Sequence, residues 1–243
     1  MVAPDLYAIN ANCPHLPLFP ALSMIKAVIF DMDGLLIDSE PLWREAEIEV
    51  FKLVNVILND ELCQRTTGLR IDQVVDYWYQ RFPWQNMTRE EVAARVVNRV
   101  IELIRLTGKP LPGVKEAISF FAQKEVKLAL ASSSAYSLIE VTLGKLSIRD
   151  RFQEIYSATE EEYGKPHPSV YITTAKKLQV LPEECLVIED SLNGVLAAKA
   201  ARMKCIAIPE DFTNYNQKLI IADVILESLL AIEDIWYKLA RES

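Results

Sequence analysis

From Pro112-Gly113 onward, stretches with strand character and stretches with helix character alternate. The strand-like runs are 127–131, 155–157, 186–189, 205–208 and 224–226. Between them, apolar residues recur at helical spacing in 114–123, 136–146, 169–178 and 192–201. Such alternation predicts a parallel sheet covered by helices on both faces. One more strand, the apolar run KAVIF at 26–30, lies far upstream. Between it and the rest, 40–111 reads as helix only. Ser39 with Pro41 marks one helix start, Thr88 with Glu91 forms a capping-box pattern, and Gly108 is a natural stop. The expected fold is therefore α/β, a doubly wound, Rossmann-like parallel sheet with an all-helical cap inserted after its first strand. The core would comprise 24–39 and 112–243, and the cap 40–111.

In open parallel sheets, ligands bind beyond the carboxyl ends of the strands. The residues at those ends form a coherent set. Asp31 and Asp33 follow the first strand, Ser132-Ser133-Ser134 the second, and Glu189-Asp190 a later one. Lys165 stands in a Gly-Lys-Pro-His-Pro loop. Carboxylates gathered at one place repel and call for a hard cation, for which Mg²⁺ is suited. A divalent ion, a lysine and hydroxyl or backbone donors together match a phosphoryl group, whose transfer depends mainly on positioning and charge neutralisation. One aspartate can attack phosphorus, and its neighbour two residues on can serve as acid and then base. Asp33 suits the second part if its surroundings hold back its ionisation. The Asp-x-Asp is not a calcium loop, because Gly34 falls at its fourth position and Leu35-Leu36-Ile37 follow. Gly164-Lys165 lacks the leading glycine run of a P-loop.

Charge narrows the partners. A formal net charge of -8 and no basic run argue against a nucleic-acid binder. No apolar run is long enough to span a membrane. Cys13, Cys63, Cys185 and Cys205 include no CxxC pair, and three of them fall in helix or strand interiors as small hydrophobes. That usage, with no secretory pattern at the start, leads us to expect a cytoplasmic protein, and a monomer. His15 and His167 stand far apart without a zinc-ligand cluster. Residues 1–23 hold four prolines and one acid, and read as a poorly ordered arm.

Four motifs in order, Asp31-Met32-Asp33-Gly34, ALASSS with Ser132, Lys165 in GKPHP, and Glu189-Asp190-Ser191, resemble those of the haloacid dehalogenase superfamily of phosphotransferases. The likeness runs from about residue 24 to the end. It implies Asp31 as nucleophile and Asp33 as acid/base, which argues against the dehalogenase branch. It also implies Mg²⁺ held by the Asp31 carboxylate, the Asp33 carbonyl and Asp190, with Glu189 nearby. Ser132, Ser133 and Lys165 would grip the phosphoryl oxygens. Within the insert, DSEPLWREAE and TTGLRIDQVVDYWYQRFPW are similar to the bacterial hexitol-phosphate and 2-deoxyglucose-6-phosphate phosphatases. The related β-phosphoglucomutases carry a histidine where this chain has Trp43, which favours a phosphatase. Lys52 lies beyond the spacing of the Schiff-base lysine used by phosphonate-cleaving relatives.

A small phosphorylated metabolite, in particular a sugar phosphate, is the expected partner. Glu40, Trp43 and Arg70 are candidate readers of its organic part, and Arg70 could meet an anion. Trp78 and Trp84 are assigned to packing, and Asn193 with Gly194 to a helix start beside the site. Two other readings stay open: a phosphosugar mutase, and a receiver-like signalling module with a phosphorylatable aspartate.

Overall fold

The computed structural model describes residues 25–213 and 217–239. The arm expected at 1–23 lies outside them, as do Cys13 and His15. The chain runs β1 (Ala27–Phe30), then α1 (Glu40–Lys52), α2 (Asp60–Cys63), α3 (Ile71–Arg81), α4 (Arg89–Thr107) and α5 (Val114–Ala122). It continues with β2 (Lys127–Ser132), α6 (Tyr136–Leu146), β3 (Glu154–Ser157), α7 (Ser169–Leu178), β4 (Cys185–Glu189) and α8 (Leu192–Ala200). The last elements are β5 (Lys204–Ala207), β6 (Val224–Ile225) and α9 (Ile232–Leu239). The alternation read from the sequence is present, with strand ends shifted by a residue or so. Helix α9 is an addition.

The six strands pair in the order β3-β2-β1-β4-β5-β6, and each pair is parallel. β1 is therefore central and wholly buried. Its side chains alternate between two cores, as a strand covered on both faces requires. Val28 and Phe30 pack with Ile118 and Phe121 of α5 and with Leu138 and Leu143 of α6. Ala27 and Ile29 face Val170 and Tyr171 of α7 and Val195 and Ala198 of α8. The second face is lined by small residues, Ala129, Ala131 and Ala207, which lets those helices lie close. Trp236 of α9 closes the first face, its ring 5.3 Å from Phe121 in edge contact.

Strand order reverses at β1, whose neighbours are β2 on one side and β4 on the other. Phe30 is in register with both Leu130 and Ile188. The residues that follow, Asp31, Ala131 and Glu189, thus reach the same level at the carboxyl edge. That is where a ligand crevice forms in such sheets.

Helices α1 to α4 occupy the stretch between β1 and α5, with no extended strand among them. The capping box of α4 is formed: Glu91 N donates to Thr88 Oγ1 at 3.1 Å, and Thr88 N donates to Glu91 Oε2 at 2.8 Å. Trp78 and Trp84 are core residues of this insert; Trp84 packs edge-on against Phe51 and Tyr79. Ser39 precedes α1 but does not cap it through its side chain, which is turned toward Asp33. Among the described residues, no helix is long and apolar enough to cross a membrane. Cys63, Cys185 and Cys205 are buried free thiols.

Candidate active site

Asp31 leaves β1 with its backbone N–H still bonded to the Ile188 carbonyl of β4, at 3.0 Å. Its carboxylate therefore emerges beside the end of β4, where Glu189 and Asp190 follow. Lys165 enters from the loop before α7 and is only 2% exposed. Its ammonium donates to Asp31 Oδ1 at 2.6 Å, Glu189 Oε1 at 2.6 Å and the Ala131 carbonyl at 3.3 Å. The Tyr171 ring lies 4.9 Å from the same nitrogen. Two carboxylates on one buried ammonium raise the pKa of Lys165, despite the opposing effect of burial, so it stays charged. Burial pushes Asp31 up, and Lys165 opposes that rise.

Glu189 is fully enclosed and saturated. Oε1 accepts from Lys165 and from the Tyr171 hydroxyl, and Oε2 from the N–H groups of Asp190 and Ser191 and from the Ser191 hydroxyl. Lys165 and these hydrogen bonds hold its pKa low against its burial. Gly194 is required here, because a Cβ at that position would collide with the Glu189 carboxylate. Glu189, expected beside a metal, also accepts from these protein donors and anchors Lys165.

Asp190 is the opposite case. It is 9% exposed, and among the described residues none donates a hydrogen bond to its carboxylate. Burial and the nearby carboxylates of Glu189 and Asp31 raise its pKa well above the usual range. Gly34, at φ +71°, brings the loop after β1 so close that a Cβ there would strike Asp190. In that loop the Met32 carbonyl accepts three backbone N–H groups, and among the described residues the Asp33 carbonyl accepts none. One oxygen each of Asp31, Glu189 and Asp190 lie within 4.8 Å of one another. Excess negative charge, an unpartnered carboxylate and a free carbonyl fit a hard divalent cation. Asp31, Glu189 and Asp190 are the acids grouped closely enough to hold one.

Asp33 is strapped by three donors from three segments. Its Oδ1 accepts from Ser39 Oγ at 2.7 Å and from Trp43 Nε1 at 3.1 Å; its Oδ2 accepts from Ser134 Oγ at 2.7 Å. The groups touching it are hydrogen-bond donors. Ser132 is buried at the end of β2, where its Oγ accepts from Ser134 N at 3.0 Å. The Ser133 hydroxyl is buried and has no partner in the protein.

These groups line one cleft that encloses about 60 Å³ and opens to solvent. Core residues Asp31, Asp33, Ser132, Ser133, Lys165 and Asp190 form one side, and α1 and α2 with the loop after them form the other. Glu40 and Trp43 are on this wall. Burial raises the Glu40 carboxyl to about 8, and Asp33 and Glu210 add to the rise.

Arg70 and Asn193 are placed elsewhere. The Arg70 guanidinium is taken up by the carbonyls of Ala158 (2.8 Å) and Glu161 (2.7 Å) and by the carboxylate of Asp72. It does not line the cavity. Asn193 donates to the Thr67 carbonyl at 3.3 Å. Both residues join insert to core. Sequence reasoning missed Ser39 and Ser134 as partners of Asp33, and Tyr171 as a partner of Glu189. Ser134 had a signal in the serine run; Tyr171 had none, since its role comes from a helix packed under the sheet.

A buried carboxylate–lysine pair and a serine loop at the switch of a doubly wound sheet fit an α/β enzyme that acts on a phosphoryl group. Residues 25–202 match the family of haloacid dehalogenase-like hydrolases, and the chain belongs to it. It is similar to hexitol phosphatase B of Escherichia coli strain K12, at 46% identity over 207 residues, covering 84% of this chain and 93% of that protein. The β-phosphoglucomutase of Bacillus subtilis is 27% identical over 84% of this chain and 94% of its own. Among solved structures, CbbY of Rhodobacter sphaeroides in complex with phosphate superposes with a TM-score of 0.77 at 25% identity, covering 86% of this chain and 96% of that one. The chain is a phosphatase of this family, and the receiver-like reading is set aside.

Proposed function

We propose that this protein is a Mg²⁺-dependent phosphatase of small sugar phosphates, hexose or hexitol monophosphates, that works through an aspartyl-phosphate on Asp31. The observation that supports this most is the pairing of Asp31 with buried Lys165 while Asp33, two residues on, faces the same cavity. In this reading the Asp31 carboxylate attacks phosphorus and the bond from phosphorus to the ester oxygen breaks. Protonated Asp33 gives its proton to that leaving oxygen. Asp33 then takes a proton from the water that attacks the aspartyl-phosphate, which releases phosphate and restores Asp31. Lys165 and the unpartnered Ser133 hydroxyl bind phosphoryl oxygens, with Ser132 shaping the loop. A divalent ion between Asp31, Asp190 and the Asp33 carbonyl would neutralise the charge gathered on phosphate and carboxylates. Residues 40–111 would act as the cap that excludes bulk water during the reaction.

The substrate class rests on the similarity to hexitol phosphatase B and on the polar side chains Glu40, Arg44 and Glu47 that α1 sets in the cavity wall. A mutase reading is supported by the kinship with β-phosphoglucomutase. Trp43 weighs against it, since the position that carries a histidine in those enzymes here holds an indole.

Phosphate release from hexose 6-phosphates, hexitol phosphates, 2-deoxyglucose 6-phosphate and p-nitrophenyl phosphate, with EDTA and after Mg²⁺ is restored, tests the proposal. Metal-dependent release from the sugar esters is the expected result. Conversion of a hexose 1-phosphate to its 6-phosphate without net release would establish the mutase instead.

A further inference from the structure

Helix α1 places Glu40, Trp43, Arg44 and Glu47 along one face, at the spacings that bring side chains above one another. All four line the cavity that holds Asp33 and Lys165. Glu40 and Trp43 sit at the phosphoryl end. Glu47 stands seven residues further along, about 10 Å up the helix axis. It is 7% exposed, and its Oε2 is buried without any hydrogen-bond partner. Leaving a buried carboxylate oxygen unpaired is costly, so its retention in a cavity wall points to a partner that arrives with the ligand. The Cys63 thiol lies beside the Glu47 carboxyl, and Thr66, Thr67, Ile71, Val74 and Val97 of the insert also line the cavity.

Charge says what that partner is. The cations lining the cavity are Lys165 and Arg44. Lys165 stands at the phosphoryl end, against Asp31 and Glu189. Arg44 donates to Glu210 at 3.1 Å and lies 4.0 Å from Glu40. The insert end therefore offers acceptors and no uncommitted positive charge. A second phosphoryl or carboxylate group would be repelled there, whereas a neutral hydroxyl would be bound.

We propose that Glu47 is a specificity-determining residue that accepts a hydrogen bond from a hydroxyl on the substrate's carbon chain, remote from the scissile phosphate, and so selects long, neutral polyhydroxylated monophosphates over bisphosphates. The proposal rests on the sugar-phosphatase reading and deepens it. Its reach of two helical turns favours a six-carbon chain. An ester as short as glycerol 3-phosphate ends before Glu47.

The test measures kcat and KM of wild type, Glu47→Leu and Glu47→Gln on a hexitol 6-phosphate, glycerol 3-phosphate, a hexose bisphosphate and p-nitrophenyl phosphate. Glu47→Leu should lower kcat/KM for the hexitol phosphate about tenfold to hundredfold more than for glycerol 3-phosphate or p-nitrophenyl phosphate, mostly through KM. Glu47→Gln keeps an acceptor oxygen and should restore most of the loss. Wild type alone should also lose activity on hexitol phosphates deoxygenated at the far carbons, which holds even if the leucine variant fails to fold. Equal fractional losses across the panel, no response to deoxygenation, or a wild-type preference for the bisphosphate would overturn the role of Glu47. Wild-type turnover of p-nitrophenyl phosphate with none of the sugar or polyol esters accepted would instead overturn the sugar-phosphatase reading beneath it.

Discussion

The indole N–H of Trp43 donates to Asp33 Oδ1 at 3.1 Å. A residue expected to read the organic part of the substrate thus holds the candidate acid/base, together with Ser39 and Ser134. Trp43→Phe keeps an aromatic ring and removes that donor. That donor fixes where the carboxyl points, and misplacing a catalytic group by about 1 Å can cost up to about 100-fold in rate. Turnover should therefore fall about tenfold or more on a hexitol phosphate and on p-nitrophenyl phosphate alike, with little change in KM. Steady-state kinetics on both esters decide it; a loss confined to the sugar ester would return Trp43 to substrate reading.

Much of this site was legible because its residues sit at strand ends, and strand ends can be read from local pattern. Asp31, Asp33, Ser132 and Glu189-Asp190 each follow an apolar run. What could not be read was created by tertiary contact. Ser39 has the sequence position of a cap, yet its hydroxyl is drawn to Asp33. Arg70 stands in a loop where a cation could meet an anion, but two backbone carbonyls of the core claim it. Arg44 and Glu47 share a helix face with Glu40 and Trp43, and charged residues at such positions read as solvent-facing. Arg44 is held by Glu210 of the core, and Glu47 is buried beside Cys63 of α2, neither of which spacing along the helix shows. Helix α9 carried the signal in Ile232, Ile235, Trp236 and Leu239, at helical spacing, and it went unread.

Asp31→Asn should abolish measurable turnover while the fold persists. The amide is isosteric, and Lys165 keeps Glu189 as its partner at 2.6 Å, so the ammonium is not left unpaired in the interior. Loss of a nucleophile costs several orders of magnitude in rate, roughly 10³-fold or more. The check is phosphate release beside a thermal melt of the same preparation. A cooperative melt with near-normal turnover would remove Asp31 from the nucleophile's place.

Arg70→Ala should loosen the insert rather than alter which sugar is accepted. Arg70 Nη1 spans the carbonyls of Ala158 and Glu161, while Nε and Nη2 hold Asp72 in a fork. Removing it leaves both carbonyls without that donor and frees the loop ahead of α3. The expected outcome is a KM raised by a similar factor, about tenfold, for every phosphate ester tested. Faster amide exchange around 64–72 should accompany it. Lysine should not rescue, because one ammonium cannot reproduce a planar fork. A selectivity change among sugars, with exchange unaltered, would show that Arg70 reaches the substrate after all.

Glu47→Gln should stabilise the protein at pH 8 and have little effect near pH 4.5. Burial is the main cause that lifts the Glu47 carboxyl from 4.5 to about 7; the Cys63 thiol and Arg44 oppose the rise. The sign follows from linkage. Below the unfolded value the group is protonated in both states, and the folded form suffers no charge penalty. As pH rises through the folded value, the unfolded chain has already released its proton, and the folded protein must either keep it or bury a charge. The stabilising contribution is thus present at low pH and lost by about pH 7–8. Glutamine is neutral throughout and escapes that loss. Other groups that titrate in this range, Glu40 among them, are common to both proteins and largely cancel in the difference. A rise of that size corresponds to about 3 kcal/mol, and each kcal/mol moves the midpoint of a chain this long by about 2–4 °C. The difference in Tm between variant and wild type should therefore grow by several degrees between pH 4.5 and pH 8, followed by calorimetry at matched ionic strength. A difference independent of pH would mean that Glu47 titrates alike in the folded and unfolded chain, and that its environment is far wetter than the cavity wall described above.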